Sequence, residues 1–168
     1  RGELVARFLT GEMPIDDYLA DVVDHSQEYG GFNLLVGNAN ELWHFNAREP
    51  AAAMLAPGIY GLSNAGLDTP WPKLLKAKAA LSEVLDDPQP QALLALLSDA
   101  QTAPLAELPD TGVGLATETL LSSVFIASQS YGTRASTALI VQADGTLHMV
   151  ERSFGPLGGH LGEVEIRL

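Results

Sequence analysis

Two short stretches contain residue types that could do chemistry: Gly61-Leu62-Ser63-Asn64-Ala65 and Tyr131-Gly132-Thr133-Arg134. An Asn at the end of a buried strand is a neutral amide donor that can be aimed at a developing oxyanion. Equally, it can close a turn through its own backbone contacts, so Asn64 carries both readings. Arg134 precedes an apolar run. There a guanidinium serves either as a clamp for a carboxylate or phosphate or as half of a structural ion pair with one of the many acidic residues. Trp71 is a packing anchor or a stacking platform. Four histidines, His25, His44, His148 and His160, share no metal-ligand spacing, so the sequence shows no metal site. Spacing still leaves room for one haem-ligating His, since a single axial ligand needs no motif. No Ser stands in Gly-x-Ser-x-Gly, and the absence of Cys removes a thiol nucleophile supplied by these residues. Asp21, Asp24 and Glu28 share one helix side and read as a solvated acidic face.

These positions depend on the elements around them. Leu4, Val5, Phe8 and Leu9 predict a first helix, and Ile15, Tyr18, Leu19, Val22 and Val23 a second, ended by Gly30-Gly31. Residues 32–36 and 42–46 read as an antiparallel hairpin, 51–55 as a weaker strand, and 58–64 as a third apolar strand ending at Asn64. Pro70-Trp71-Pro72 opens a helix whose expected buried stripe is Leu74, Leu75, Leu81 and Leu85, with Lys73, Lys76 and Lys78 on its outer surface. A leucine-rich helix spans about 90–97, and 102–114 is a Pro- and Gly-rich loop that is exposed or lines a site. Residues 117–128 read as a helix running into a strand near Ser123. Asp144-Gly145 joins strands 136–142 and 147–152, and a last strand, 162–168, alternates so that one face is wet. The tally is a mostly antiparallel sheet with helices grouped between hairpins, an α+β protein.

Length and composition agree with a single domain over residues 1–168. A chain of 168 residues buries ~70% of its unfolded surface, and 46% hydrophobic residues can form a core without disulfides. Nine Lys plus Arg against 21 Asp plus Glu, a net charge of -12, argue against nucleic acid and anionic membrane surfaces. No stretch approaches the ~20 apolar residues of a membrane span, and the expected location is cytoplasmic.

Together the motifs resemble the NRDE family, that of the transport and Golgi organisation protein 2. They are Arg1-Gly2-Glu3-Leu4-Val5, Gly31-Phe32-Asn33-Leu34-Leu35, Pro57 through Asn64 and Ala65, Leu67-Asp68-Thr69-Pro70-Trp71-Pro72-Lys73, Leu108 through Gly112, Tyr131 through Arg134, and Glu151-Arg152-Ser153-Phe154. The resemblance implies a layered αββα sandwich of the N-terminal-nucleophile (Ntn) hydrolase type, whose cysteine relatives cleave linear amides. In such enzymes the free α-amino group, with an unperturbed pKa of ~7.7 to 8, acts as base for the cysteine that bears it. It also implies that the chain is the C-terminal two-thirds of such a protein. The Cys strand and the Asn-Arg-Asp-Glu motif would then lie in a missing N-terminal segment. On that basis Asn64 becomes the oxyanion donor and Arg134 a substrate-positioning residue, with Asn33, Trp71, Tyr131 and Thr133 around the ligand. The alternative it implies is a non-catalytic carrier of haem or an acyl compound such as acyl-CoA. No resident cofactor is required for the amidohydrolase reading.

Overall fold

Five α-helices and two three-stranded antiparallel sheets make the chain an α+β protein, seen in a computed structural model that describes residues 1–168. Its contacts fall into two units: Arg1–Gly58 with Asn64–Gly66, and Ile59–Ser63 with Leu67–Leu168.

In the first unit α1 (Gly2–Thr10) and α2 (Ile15–Asp24) follow the predicted periodicities. Asp16 and Asp17 occupy the first turn of α2, where the helix dipole favours them. Both helices bury one stripe against the strand pair β1 (Asn33–Gly37) and β2 (Leu42–Asn46). Leu4, Tyr18, Leu19, Val22, Leu34, Val36 and Phe45 form this core. Tyr18 is buried as a ring, and its hydroxyl donates to the Leu4 carbonyl at 2.6 Å, which satisfies the one polar atom it takes out of water. The weak strand expected over 51–55 shrinks to β3 (Ala53–Met54), paired with Trp43 and His44.

The second unit is built on β4 (Ala135–Val141), β5 (Leu147–Phe154) and β6 (His160–Arg167), in the order β4-β5-β6. Gly145, at φ 89°, turns the β4–β5 hairpin as its Asp-Gly sequence requires. Helix α4 (Pro90–Leu96) covers one sheet face, packing Leu93 and Leu94 on Ala138 and Val150. On that same face Arg152 joins Glu163 and Gln91, while Glu165 joins His148 and Arg167. The opposite face presents Leu139, Val141, Val164 and Ile166 in the open. Alternation in the last strand is therefore real, but both of its faces are exposed, and only the charged one carries side-chain partners.

Two expected strands do not form. Residues 58–64 make only an isolated bridge, Leu62 to Leu67, and Val124-Phe125-Ile126 continues α5 (Leu115–Leu121) as a non-repetitive segment closed by the bridge Ala127 to Gly132. In both, the chain turns back on itself within a few residues, so the ladder stops at a single bridge. The Gly-rich composition of 58–66 suits a tight turn better than a sheet.

Helix α3 (Pro72–Ser82) also departs from expectation, since Leu74 is buried while Leu75 and Leu85 are exposed. Gly61 explains how Leu74 is placed. Any Cβ there would lie 2.5 Å from the Leu74 side chain, so only glycine admits this approach. The Gly61 carbonyl and N–H also hold Asp68, accepting from its backbone N–H and donating to its carboxylate. Gly61→Ala is therefore expected to lower unfolding free energy by about 1–3 kcal/mol in urea titration. Because the clash is with Leu74, Leu74→Ala should remove part of that cost, giving a less-than-additive double mutant.

Candidate functional site

The sequence-selected residues divide between the units. Asn33 and Asn64 belong to the first, and Trp71, Tyr131, Thr133 and Arg134 to the second.

Asn33 begins β1 on the sheet face away from the α1–α2 core. Its Oδ1 lies 3.0 Å from Nε2 of His44, which is buried beside Asn46 on β2. Burial holds the His44 imidazole below its ordinary value, with a smaller opposing pull from Glu49. The neutral ring then donates from Nε2 to the Asn33 oxygen. Asn33 is thus committed to a structural hydrogen bond.

Asn64 does not end a buried strand. It is exposed, in the bend between bridged Leu62 and Leu67, and its amide makes no hydrogen bond within the chain. The expectation of a rigid, buried donor fails because the strand that was to carry it does not form.

Arg134 immediately precedes β4, and its carbonyl accepts from Phe154 N–H at 2.8 Å. Its guanidinium is exposed and takes part in none of the ion pairs. Of the two readings of this Arg, the structural ion pair is absent. Thr133 is spent on the backbone of Ile126: its N–H donates to the Ile126 carbonyl and its hydroxyl accepts the Ile126 N–H. Tyr131 anchors a turn through Ser128 and leaves its ring largely exposed. Tyr131 through Arg134 are brought together by this turn, but they do not line the cleft described next.

That cleft, about 410 Å³ in volume, lies along the first turns of α3. Leu75, Ala103, Pro104 and Val124 supply its apolar wall, and Lys73, Lys76, Asp99 and Glu107 its charges. Of the loop expected over 102–114, Thr102, Ala103, Pro104 and Glu107 of the short 3-10 turn Leu105–Glu107 border this cleft. Lys76 is neutralised, with Nζ 2.5 Å from Asp99 and 2.9 Å from Gln101 Oε1. Lys73 is different. Its Nζ donates to the Leu121 carbonyl at 2.6 Å and lies 5.7 Å from the Trp71 ring centroid, and it has no carboxylate partner. Burial alone pushes its ammonium below the ordinary lysine value.

Sequence reading placed Lys73 on an outer surface. The surface does not exist there, because α3 is flanked on one side by the 61–68 turn, through Lys78 and Asp68, and on the other by 99–104 and 121–124. One signal pointed to it: a cation in the first turn of a helix opposes the helix dipole, and such a position needs a reason. No three His, Asp or Glu side chains gather where they could hold a metal ion. No helix is long and apolar enough to cross a membrane.

The family model described as Transport and Golgi organisation 2 matches residues 1–156, through both units. The chain belongs to that family. It is 37% identical to the bovine Transport and Golgi organization protein 2 homolog and 36% to the human one, in each case over 91% of this chain and 61% of the relative. The mouse Transport and Golgi organization 2 homolog is 32% identical over the same shares. This family member therefore spans about three-fifths of the length of the curated relatives it matches.

The Asn33–His44 pair makes a pH prediction. A His whose folded pKa is lowered contributes full stability above the unfolded value of ~6.5, and stability is lost as pH falls from there through the folded value. His25, raised chiefly by its hydrogen bond to the Asp21 carbonyl, acts with the opposite sign. The melting temperature is expected to fall more steeply with acid below pH ~6.5 in wild type than in His44→Gln. Equal slopes would remove His44 from the account.

Proposed function

We propose that the chain binds an amphipathic small molecule with an acidic end, haem or an acyl compound, without cleaving it, as a family protein of the cytoplasm. The observation that supports this reading is the cleft at α3: apolar on Leu75, Val124, Ala103 and Pro104, and carrying an ammonium at Lys73 that has no counter-ion. Its volume falls in the ~300–1,000 Å³ range of small-molecule sites. A thiol nucleophile would have to come from outside these residues, since they contain no Cys. Trp71, against Lys73, provides the reporter. In a Trp43→Phe background, haem and a long-chain acyl-CoA should each quench Trp71 fluorescence saturably at micromolar concentration, haem with a Soret shift. Quenching should be lost in Val124→Asp. If neither ligand gives saturable quenching, the carrier reading is wrong.

A second reading, amide hydrolysis of linear C–N bonds by an Ntn-type cysteine with the αββα layering that goes with it, is favoured by one observation. Asn64, in the longest family motif, holds an amide free of internal hydrogen bonds and open to a ligand. It requires a cysteine from outside these 168 residues. A family-length protein containing this chain should then hydrolyse N-acyl amides, with a loss of about 10²–10³ in kcat on Asn64→Ala. Turnover untouched by that substitution, or no turnover at all, excludes it.

A further inference from the structure

The geometry points to a binding subsite for a single carboxylate, with Lys73 Nζ receiving the carboxylate of a ligand whose aliphatic body lies on Leu75 and Val124. This deepens the ligand-binding reading above and rests on it for the use of the cleft.

Lys73 ammonium has three N–H donors, of which one is committed to the Leu121 carbonyl at 2.6 Å. The Trp71 ring, 5.7 Å away, attracts the charge but accepts no conventional hydrogen bond. Two donors are left on a cation half removed from water, and none of the seven ion pairs in the chain involves it. An uncompensated ammonium in such a place is costly, and an arriving carboxylate relieves the cost by two charge-assisted contacts.

The other charges around the cleft decide what kind of anion fits. Lys76 is already matched by Asp99, so it offers no second free positive charge. Glu107, exposed on the rim, adds a negative one. With the Lys76–Asp99 pair neutral, one rim carboxylate and one free ammonium favour a monoanion and oppose a phosphate dianion. A haem propionate or a free fatty carboxylate therefore fits Lys73, whereas an acyl-CoA lays only its chain on the apolar wall and keeps its phosphates outside. The apolar wall adjoining Lys73 supplies the remaining affinity through burial of methylene groups, each worth roughly 0.8 kcal/mol if fully covered. Anion binding should also draw the Lys73 amine back toward its ordinary basicity. Association above its folded pKa then takes up a proton.

The test uses octanoate, octanamide and octyl phosphate, titrated into the chain by calorimetry and by Trp71 fluorescence in the Trp43→Phe background. Wild type should bind octanoate at least tenfold more tightly than octanamide or octyl phosphate at neutral pH. Calorimetry at alkaline pH in two buffers of different ionisation enthalpy should show net proton uptake. Lys73→Met should weaken octanoate at least tenfold, leave octanamide unchanged and abolish the uptake. Lys73→Gln, which keeps a donor for the Leu121 carbonyl, should give the same result if the Met variant does not fold. Octanoate and octanamide binding alike, octyl phosphate binding more tightly, or a Lys73→Gln protein that keeps wild-type octanoate affinity would each overturn the subsite. So would no octanoate binding at all. Octanoate bound at Lys73 with no response to haem or acyl-CoA would sink the carrier reading and keep the subsite; saturable haem binding indifferent to Lys73 would do the reverse.

Discussion

The hydrogen bond from Lys73 to the Leu121 carbonyl joins two segments 48 residues apart and fixes much of what the second unit can do. It caps a carbonyl at the end of α5 that has no helical partner, and it brings a cation into the first turn of α3, where the helix dipole repels it. Trp71, just before that turn, faces the ammonium with its ring. The same residues thus stabilise a helix junction and create a site of unmet electrostatic demand. Leu74, the next residue, turns the other way and packs onto Gly61, so one turn of helix anchors two different contacts. The proline at position 72 starts the helix at the register that makes this division possible.

Polar groups elsewhere are handled differently, and the contrast isolates Lys73. Glu118 is buried, but its carboxylate accepts from both the N–H and the hydroxyl of Thr111, pinning the loop before α5. His44 is buried with Asn33, Tyr18 with the Leu4 carbonyl, and Ser122 donates to the Thr119 carbonyl while accepting Ala103 N–H. No buried side-chain nitrogen or oxygen lacks a partner. Lys73 meets the hydrogen-bond requirement through a neutral carbonyl and still lacks a balancing charge. Satisfying a donor and compensating a charge are separate conditions, and only the first is met inside this chain.

Local patterns carried the fold where periodicity was strong. Both N-terminal helices, the 33–37 and 42–46 pair, the Asp144-Gly145 hairpin and the start of α3 at Pro72 were legible because each is decided by residues within one or two turns of itself. What failed was decided at a distance. Residues 58–64 have strand composition, yet whether they form a strand depends on a neighbour, and the ladder they make is the isolated bridge of Leu62 to Leu67. Lys73 looked exposed because helix periodicity gives one buried stripe, whereas α3 is contacted on two sides by segments that begin after residue 60 and after residue 98. Among the selected site residues, Thr133 and Asn33 have the right polarity for a ligand, but their hydrogen-bonding capacity is engaged by Ile126 and His44. Sequence identifies a donor, not its partner.

Asn64 and Lys73 show why the cleft carries more functional argument than the motif residue first singled out. An oxyanion donor is effective when it is fixed and kept from water, because its worth rises as the local dielectric falls and as reorganisation is removed. Asn64 is exposed in a bend without a side-chain bond to hold it, so nothing within this chain fixes its amide or shields it from water. Lys73 satisfies both conditions: its amine is half withdrawn from water and is held by Leu121 and Trp71. Preorganisation resides in the lysine. A ligand that pairs with it gains from a charge already positioned and already partly desolvated, whereas a ligand approaching Asn64 must order the donor and displace its water. Any chemistry at Asn64 therefore depends on further structure closing over the bend, and binding at Lys73 does not.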